Sequence, residues 1–241
     1  SRQGAAVYGD YLVHAHDKAG VAIFSIASQK VVKTGELQRY SPDNHCNNIC
    51  FSDRFYEKSD KFPLLYVSEN HTSDIDVNRL SSLDSEFQLV QRITLPKEIG
   101  YYLNAVFDFK NNYIYTVCYH EKNWRTNDGG NYLTVSKLRL PALAEGEHVT
   151  IDKIITRFNI PFRTATQGAF FANGYIVHGF GDNENNVALE IIDPGKKKVA
   201  RVIEAQDVFH DEIEGVAPYG DHSVIVALQH GKVYQVDFEP R

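Results

Sequence analysis

The side chains able to do chemistry here are imidazoles, amides and a few carboxylates. Ten histidines are spread along 241 residues. His14 and His16 stand two apart; on a strand that spacing puts both imidazoles on one face, where they could grip one metal ion. No third ligand can be assigned to the pair. His45-Cys46-Asn47 sets an imidazole beside a thiol. Nucleophile pairs are usually built from residues distant in sequence, and no oxyanion-hole signature accompanies this one. Trp124 is the single tryptophan, flanked by Asn123, Arg125 and Asn127. Its indole could stack on a sugar or other flat ligand face, or it could anchor its own loop. Asn70-His71-Thr72 fits the glycosylation triplet, which matters only in a eukaryotic secretory setting.

A repeat positions these residues. Residues 166–178 read TQGAFFANGYIVH, a polar head, an apolar run, an Asn-Gly turn and a second apolar run. The same phrase opens the chain as RQGAAVYGDYLVH, residues 2–14, with Gln, Gly, Ala, Tyr, Val and His shared. Looser copies begin at Asn47, Asn104 and Glu214. Measured from Gln3, the copies start 44, 57, 63 and 47 residues apart, near the roughly 40–50 residues of a four-stranded propeller blade. The turns at Gly9-Asp10, Asn111-Asn112, Asn173-Gly174 and Gly220-Asp221 use residues that tolerate positive φ. The expectation is an all-β, five-bladed propeller in one domain spanning 1–241, with blades starting near 3, 47, 104, 167 and 214. A six-bladed count or an irregular sandwich stands behind it.

Strands are expected at 5–8, 11–15, 21–26 and 30–34, then 49–52, 63–68, 74–80 and 87–95. The third repeat gives 105–109, 113–119, 131–140 and 149–158; the fourth gives 169–171, 175–178, 187–192 and 198–204. The fifth shows three strands, 215–219, 224–228 and 233–238, so its fourth must come from elsewhere or be absent. Pro218 inside that repeat's first strand removes a ladder donor and counts against this register. The charged stretch after Ser52 reads as a surface loop.

In a blade the innermost strand starts at one face of the disc, and the second strand returns to it. Heads of first strands and tails of second strands then gather at one mouth of the central channel. The heads bring Gln3, His45, Asn47, Asn104, Gln167, His210, Glu212 and Glu214; the tails bring His14, His16, Ser68, Glu69, His71, His120, His178, Asp182 and His230. Eight of the ten histidines fall on this face, all but His148 and His222. The ring Gln3, Asn47, Asn104, Gln167 and Glu214 offers hard oxygen donors suited to a calcium or sodium ion in the channel or to a water cluster. Equally, these groups could bond neighbouring backbone, since buried polar groups need partners.

Composition removes several classes. A hydrophobic fraction of 43% with 12% aromatics supports a packed core. Net charge of −6 without a basic stripe argues against nucleic acid. No apolar run approaches the ~20 residues of a membrane span. Cys46, Cys50 and Cys118 give no disulfide or zinc spacing and read as small buried apolar side chains. The run 182–186 has the composition of a calcium loop without its spacing. There is no phosphate-binding glycine loop, no G-x-S-x-G and no H-E-x-x-H. The start at Ser1 leads us to expect a processed, periplasmic or secreted protein.

The Gln-Gly heads at 3–4 and 167–168, and Glu214-Gly215, resemble those of small five-bladed propellers, including the glutamine-cyclotransferase-like type. The stretch from His45 through Asn70 is similar to uncharacterised bacterial propellers. The resemblance covers all five repeats in outline and implies architecture; no catalytic set matches residue by residue. The functional expectation is a propeller that binds a small molecule, glycan or peptide at the His-rich mouth. The alternative is a hydrolase, lyase or cyclotransferase acting there on a carbohydrate or peptide end, with Glu214, Glu212, His178 or His45 as general acid or base. A plain structural scaffold is the third reading. A glycosidase needs two opposed carboxylates, and the ring supplies only Glu214, which favours binding.

Overall fold

The structure, a computed structural model, describes residues 2–38, 45–122, 132–182 and 185–237. Five sheets, antiparallel except for one short edge strand on the second, follow the five repeats. The first is β1 (Arg2–Tyr8), β2 (Tyr11–His16), β3 (Gly20–Ser25) and β4 (Lys30–Glu36), in that spatial order. The second holds β5 (Cys46–Phe51), β6 (Leu65–Glu69), β7 (Asp74–Arg79) and β8 (Gln88–Thr94). The third is built from β9 (Tyr101–Asp108), β10 (Tyr113–Tyr119), β11 (Tyr132–Arg139) and an outer strand β13 (Thr156–Pro161). The fourth is β14 (Thr166–Ala172), β15 (Tyr175–Asp182), β16 (Asn185–Asp193) and β17 (Lys198–Glu204); the fifth is β18 (Ile213–Tyr219), β19 (Ser223–Leu228) and β20 (Val233–Asp237). The molecule is a five-bladed β-propeller of mostly four-stranded blades.

Alternation along each strand explains the packing. Successive side chains point to opposite faces, so each blade has two apolar faces and the core is divided among five seams. Ile49, Leu65 and Val67 pack on Val13, Ala15 and Ile23 of the first blade. Tyr66, Ile75 and Val77 look the other way, toward Ala105 and Ile114. The last seam closes the ring, with Ala5 and Leu12 against Ile225 and Ala227. Tight turns at Asn173-Gly174 and Gly220 carry the positive φ their residue types suggested. Pro218 lies in β18 opposite Val224. As the innermost strand, β18 has one unpaired side, and a proline is tolerated there.

Two expectations change. The single strand expected over 149–158 is split. A short strand, β12 (His148–Thr150), joins β8 in parallel and covers the outer edge of the second blade, while β13 completes the third. Val149 and Ile151 are drawn into the seam between those blades, and Gln91 Nε2 fixes the crossing by donating to the carbonyls of Ala142 and Gly146 at 3.0 and 2.8 Å. The charged loop after Ser52 is only partly a surface feature. Phe62 and Leu64 are buried, as is Asp60, which takes a two-pronged bond from Arg79 at 2.8 and 3.0 Å.

Candidate functional site

Strand pairing brings the heads of the inner strands and the tails of the second strands to one end of the disc. The terminal pairs are Arg2 with His16, Cys46 with Glu69, Tyr101 with Tyr119, Thr166 with Phe180 and Ile213 with Leu228. The register of every inner strand shifts just inside its terminal pair. Such bulges re-aim side chains, and here they sit at Gln3, Asn47, Gln167 and Glu214. In the third blade the repeat moves by one residue. Ala105, like Ile49, packs on the preceding blade, so Asn104 is the equivalent of Asn48, and Leu103 occupies the level of Asn47.

The axis itself is tightly packed. A Cβ on Gly168 would lie 2.6 Å from Gly215 Cα, and one on Gly215 would lie 2.5 Å from Ala5 Cβ. Gly4 presses on the backbone of Asn48 and Ile49 in the same way. Asn48 spans the centre: its Nδ2 donates to the carbonyls of Ala105 (2.9 Å) and Ala169 (2.8 Å), and its Oδ1 accepts from Ala169 N at 3.2 Å. Asn47 Nδ2 donates to Leu103 O at 3.0 Å, and Asn104 Nδ2 donates to Gln167 O. These amides therefore tie the second blade to the third and fourth, and the third to the fourth. Asn104 Oδ1 is left as a buried acceptor with no partner among the described residues.

Nearer the mouth, Gln167 Nε2 donates to one oxygen of Glu212 and Gln229 Nε2 to the other, the latter at 3.2 Å. Glu212 is thus held between the head of the fourth blade and the tail of the fifth. Beside it, Asp211 accepts from the Glu212 and His230 backbones, each at 2.9 Å, and meets His230 Nδ1 at 2.8 Å. Burial alone would raise the Asp211 carboxyl, but these bonds outweigh it and hold it below the usual range. Gln3, Glu69 and Glu214 are buried at the same end.

The histidines separate into distinct environments. His178 is fully buried in the seam between the third and fourth blades, its ring 4.5 Å from that of Phe180, and burial drives its pKa down to about 3. It pairs with Ala169, two residues inside the Thr166–Phe180 pair at the mouth end of β15. His14 and His16 share a face as their spacing suggested, with ring centroids 5.7 Å apart. No group of three or more His, Cys, Asp or Glu among the described residues is arranged to hold a metal. Cys46 and Cys118 are fully buried, and burial pushes the Cys50 and Cys118 thiols up to about 12. Trp124 lies outside the described residues.

An aromatic chain crosses the other side of the mouth. His45 faces His71 at 6.0 Å, His71 meets Tyr102 edge-on at 6.0 Å, and Tyr102 meets Tyr119 edge-on at 5.5 Å. The Tyr119 hydroxyl accepts from Thr166 N at 2.7 Å, tying this chain to the fourth blade. His45 and His71 were legible from the repeat. Asn48, Tyr102 and Gln229 were not singled out, although Asn48 stands in the column where three other repeats have glycine and Gln229 adjoins His230.

No protein-family model matches the chain, and no curated protein matches it. Among solved structures it is similar to the glutaminyl cyclase of Myxococcus xanthus, with a TM-score of 0.59 and 14% identity, over 98% of this chain and 91% of that one. The likeness is one of fold. A β-propeller domain of Cps50 (Swd1) from Myceliophteria thermophila aligns over 99% of this chain and 84% of its own, with a TM-score of 0.48 and 8% identity.

Proposed function

We propose that this propeller binds a small polar ligand, a glycan or a peptide end at the mouth formed by the strand heads. The observation that carries the reading is the clamping of Glu212 by two amides from different blades. A carboxylate fixed in this way is preorganised: its orientation is set before a ligand arrives, so little is lost in ordering it on binding. Buried Gln3 and Glu214 supply further polar groups at the same end, the pattern of a few placed polar groups that fixes a ligand's orientation. The test is thermal unfolding with panels of peptides and oligosaccharides, since a ligand of the native state raises the melting point by mass action. A ligand-dependent rise that Glu212→Gln removes supports the reading. No rise with any panel member, or rises of which none depends on Glu212, overturns it.

A second reading makes the same mouth catalytic, and the fold likeness to a glutaminyl cyclase is the observation that favours it. Cyclisation of an N-terminal glutamine joins the α-amine to the side-chain amide carbon and expels ammonia. A carboxylate placed as Glu212 is would take the proton from the attacking amine and return it to the leaving group. Ammonia release from a peptide with N-terminal glutamine, lost in Glu212→Gln, would establish this activity. Binding without turnover would leave the first reading standing alone.

A further inference from the structure

Where the second and third blades meet at the mouth, a cleft of about 560 Å³ is lined by Asn70, His71, Lys97, Tyr101, Tyr102 and Lys122, with Asp74 and Thr94 also on its wall. Its volume falls within the roughly 300–1,000 Å³ of small-molecule sites. We propose that this cleft is a binding site for a sugar ring bearing a carboxylate, a uronic acid. Three independent features converge on that chemistry.

The first is aromatic surface held by backbone geometry. Tyr101 is 47% exposed at the head of β9. Tyr102 follows with φ 57, an uncommon conformation for a non-glycine residue in a strand, and its ring is pinned between His71 and Tyr119. Gly100, at φ 113, makes the bend, and a Cβ there would lie 2.5 Å from the Tyr119 carbonyl. The bend thus presents two adjacent tyrosines at one cleft, and the apolar face of a sugar ring stacks on such surfaces. The second feature is charge. Lys97 and Lys122 are both exposed on the lining, against one carboxylate, Asp74, whose Oδ1 already accepts from the Thr94 hydroxyl at 2.6 Å. The third is a polar side chain. Asn70 lines the cleft beside His71, and an amide side chain both donates to and accepts from ring hydroxyls. A flat ring face, an anion and hydroxyl donors occur together in a uronate.

The site is separate from the Glu212 clamp and does not depend on it. Calorimetric titration of the whole protein with glucuronic acid, glucose and acetate tests it, glucose carrying the ring alone and acetate the charge alone. Glucuronate is expected to bind about tenfold or more tighter than either. Tyr101→Ala, and Lys97→Ala combined with Lys122→Ala, are each expected to weaken it by about tenfold. These side chains are exposed, so an unchanged melting point confirms that the variants fold. Glu212→Gln is expected to leave glucuronate affinity unchanged. No glucuronate binding, equal binding of glucose, or indifference to the tyrosine and lysine variants overturns the proposal.

Discussion

His178 and Glu190 stand directly opposite each other across β15 and β16, His178 at 0% exposure and Glu190 at 2%. Both titrate toward the neutral form. Burial lowers His178 from 6.5 to about 3, and burial raises Glu190 from 4.5 to about 7, with Arg163 opposing. Neither ring nitrogen of His178 has a hydrogen-bond partner among the described residues.

The two shifts act on stability with opposite signs. As pH falls below 6.5, His178 takes up a proton only in the unfolded chain, which destabilises the fold. As pH falls from about 7 to 4.5, Glu190 takes up a proton in the folded state first, which stabilises it. Between 6.5 and 4.5 the effects offset, and below 4.5 the histidine acts alone. Glu190→Gln is therefore expected to unmask a loss of roughly 1.4 kcal/mol per pH unit below 6.5. His178→Phe is expected to do the reverse, becoming more stable as pH falls from 7 toward 4.5. Urea unfolding between pH 4 and 8 measures both, and parallel profiles for the two variants would rule out this opposition.

Asn48→Ala is expected to cost roughly 3 kcal/mol, because it strands the carbonyls of Ala105 and Ala169 and the amide of Ala169 in a dry centre. Urea unfolding at neutral pH gives the number. A loss under about 0.5 kcal/mol would mean that these three groups find other partners.

The architecture was legible because a propeller repeats one hairpin, and residues that must solve the same local problem recur in type. Gln3-Gly4 and Gln167-Gly168 are both bulged heads whose glycines let inner strands touch. Asn48 and Asn104 were harder to place, since each occupies a glycine column yet uses its side chain to bridge blades. The crossing of β12 to the second blade depends on contacts to Gln91 from far along the chain, and no local pattern carries that. His178 shows the same limit. Its place in the repeat was readable, but its burial depends on what the third blade packs against it.

Gly168→Ala and Gly215→Ala are each expected to destabilise by about 1–3 kcal/mol through overpacking. Their new methyl groups would meet backbone atoms of the facing strands at 2.6 Å, which no rotamer change relieves. Gly35→Ala is the control: its nearest neighbour, the tip of Lys33, is 3.9 Å away, and its φ is not positive. That variant is expected to be neutral or slightly stabilising, since alanine restricts the unfolded chain. Equal effects at all three positions would show that close approach at the axis is not what selects glycine there.

A calcium or sodium ion among the ring residues would have to gather its oxygens at a closely packed axis. Calcium takes six to eight oxygens, whereas the glycines bring the inner strands into contact at the axis and the third blade places buried Leu103, not an oxygen donor, at the level of Asn47. Asn104 Oδ1 is a buried acceptor that a single water could satisfy. Treatment with a chelator is therefore expected to leave the melting point unchanged, and calcium added back is expected to have no effect. A fall of several degrees on chelation, reversed by calcium and abolished in Asn104→Ala, would instead establish an ion as part of the axis. The amide bonds would then position its ligands rather than replace them.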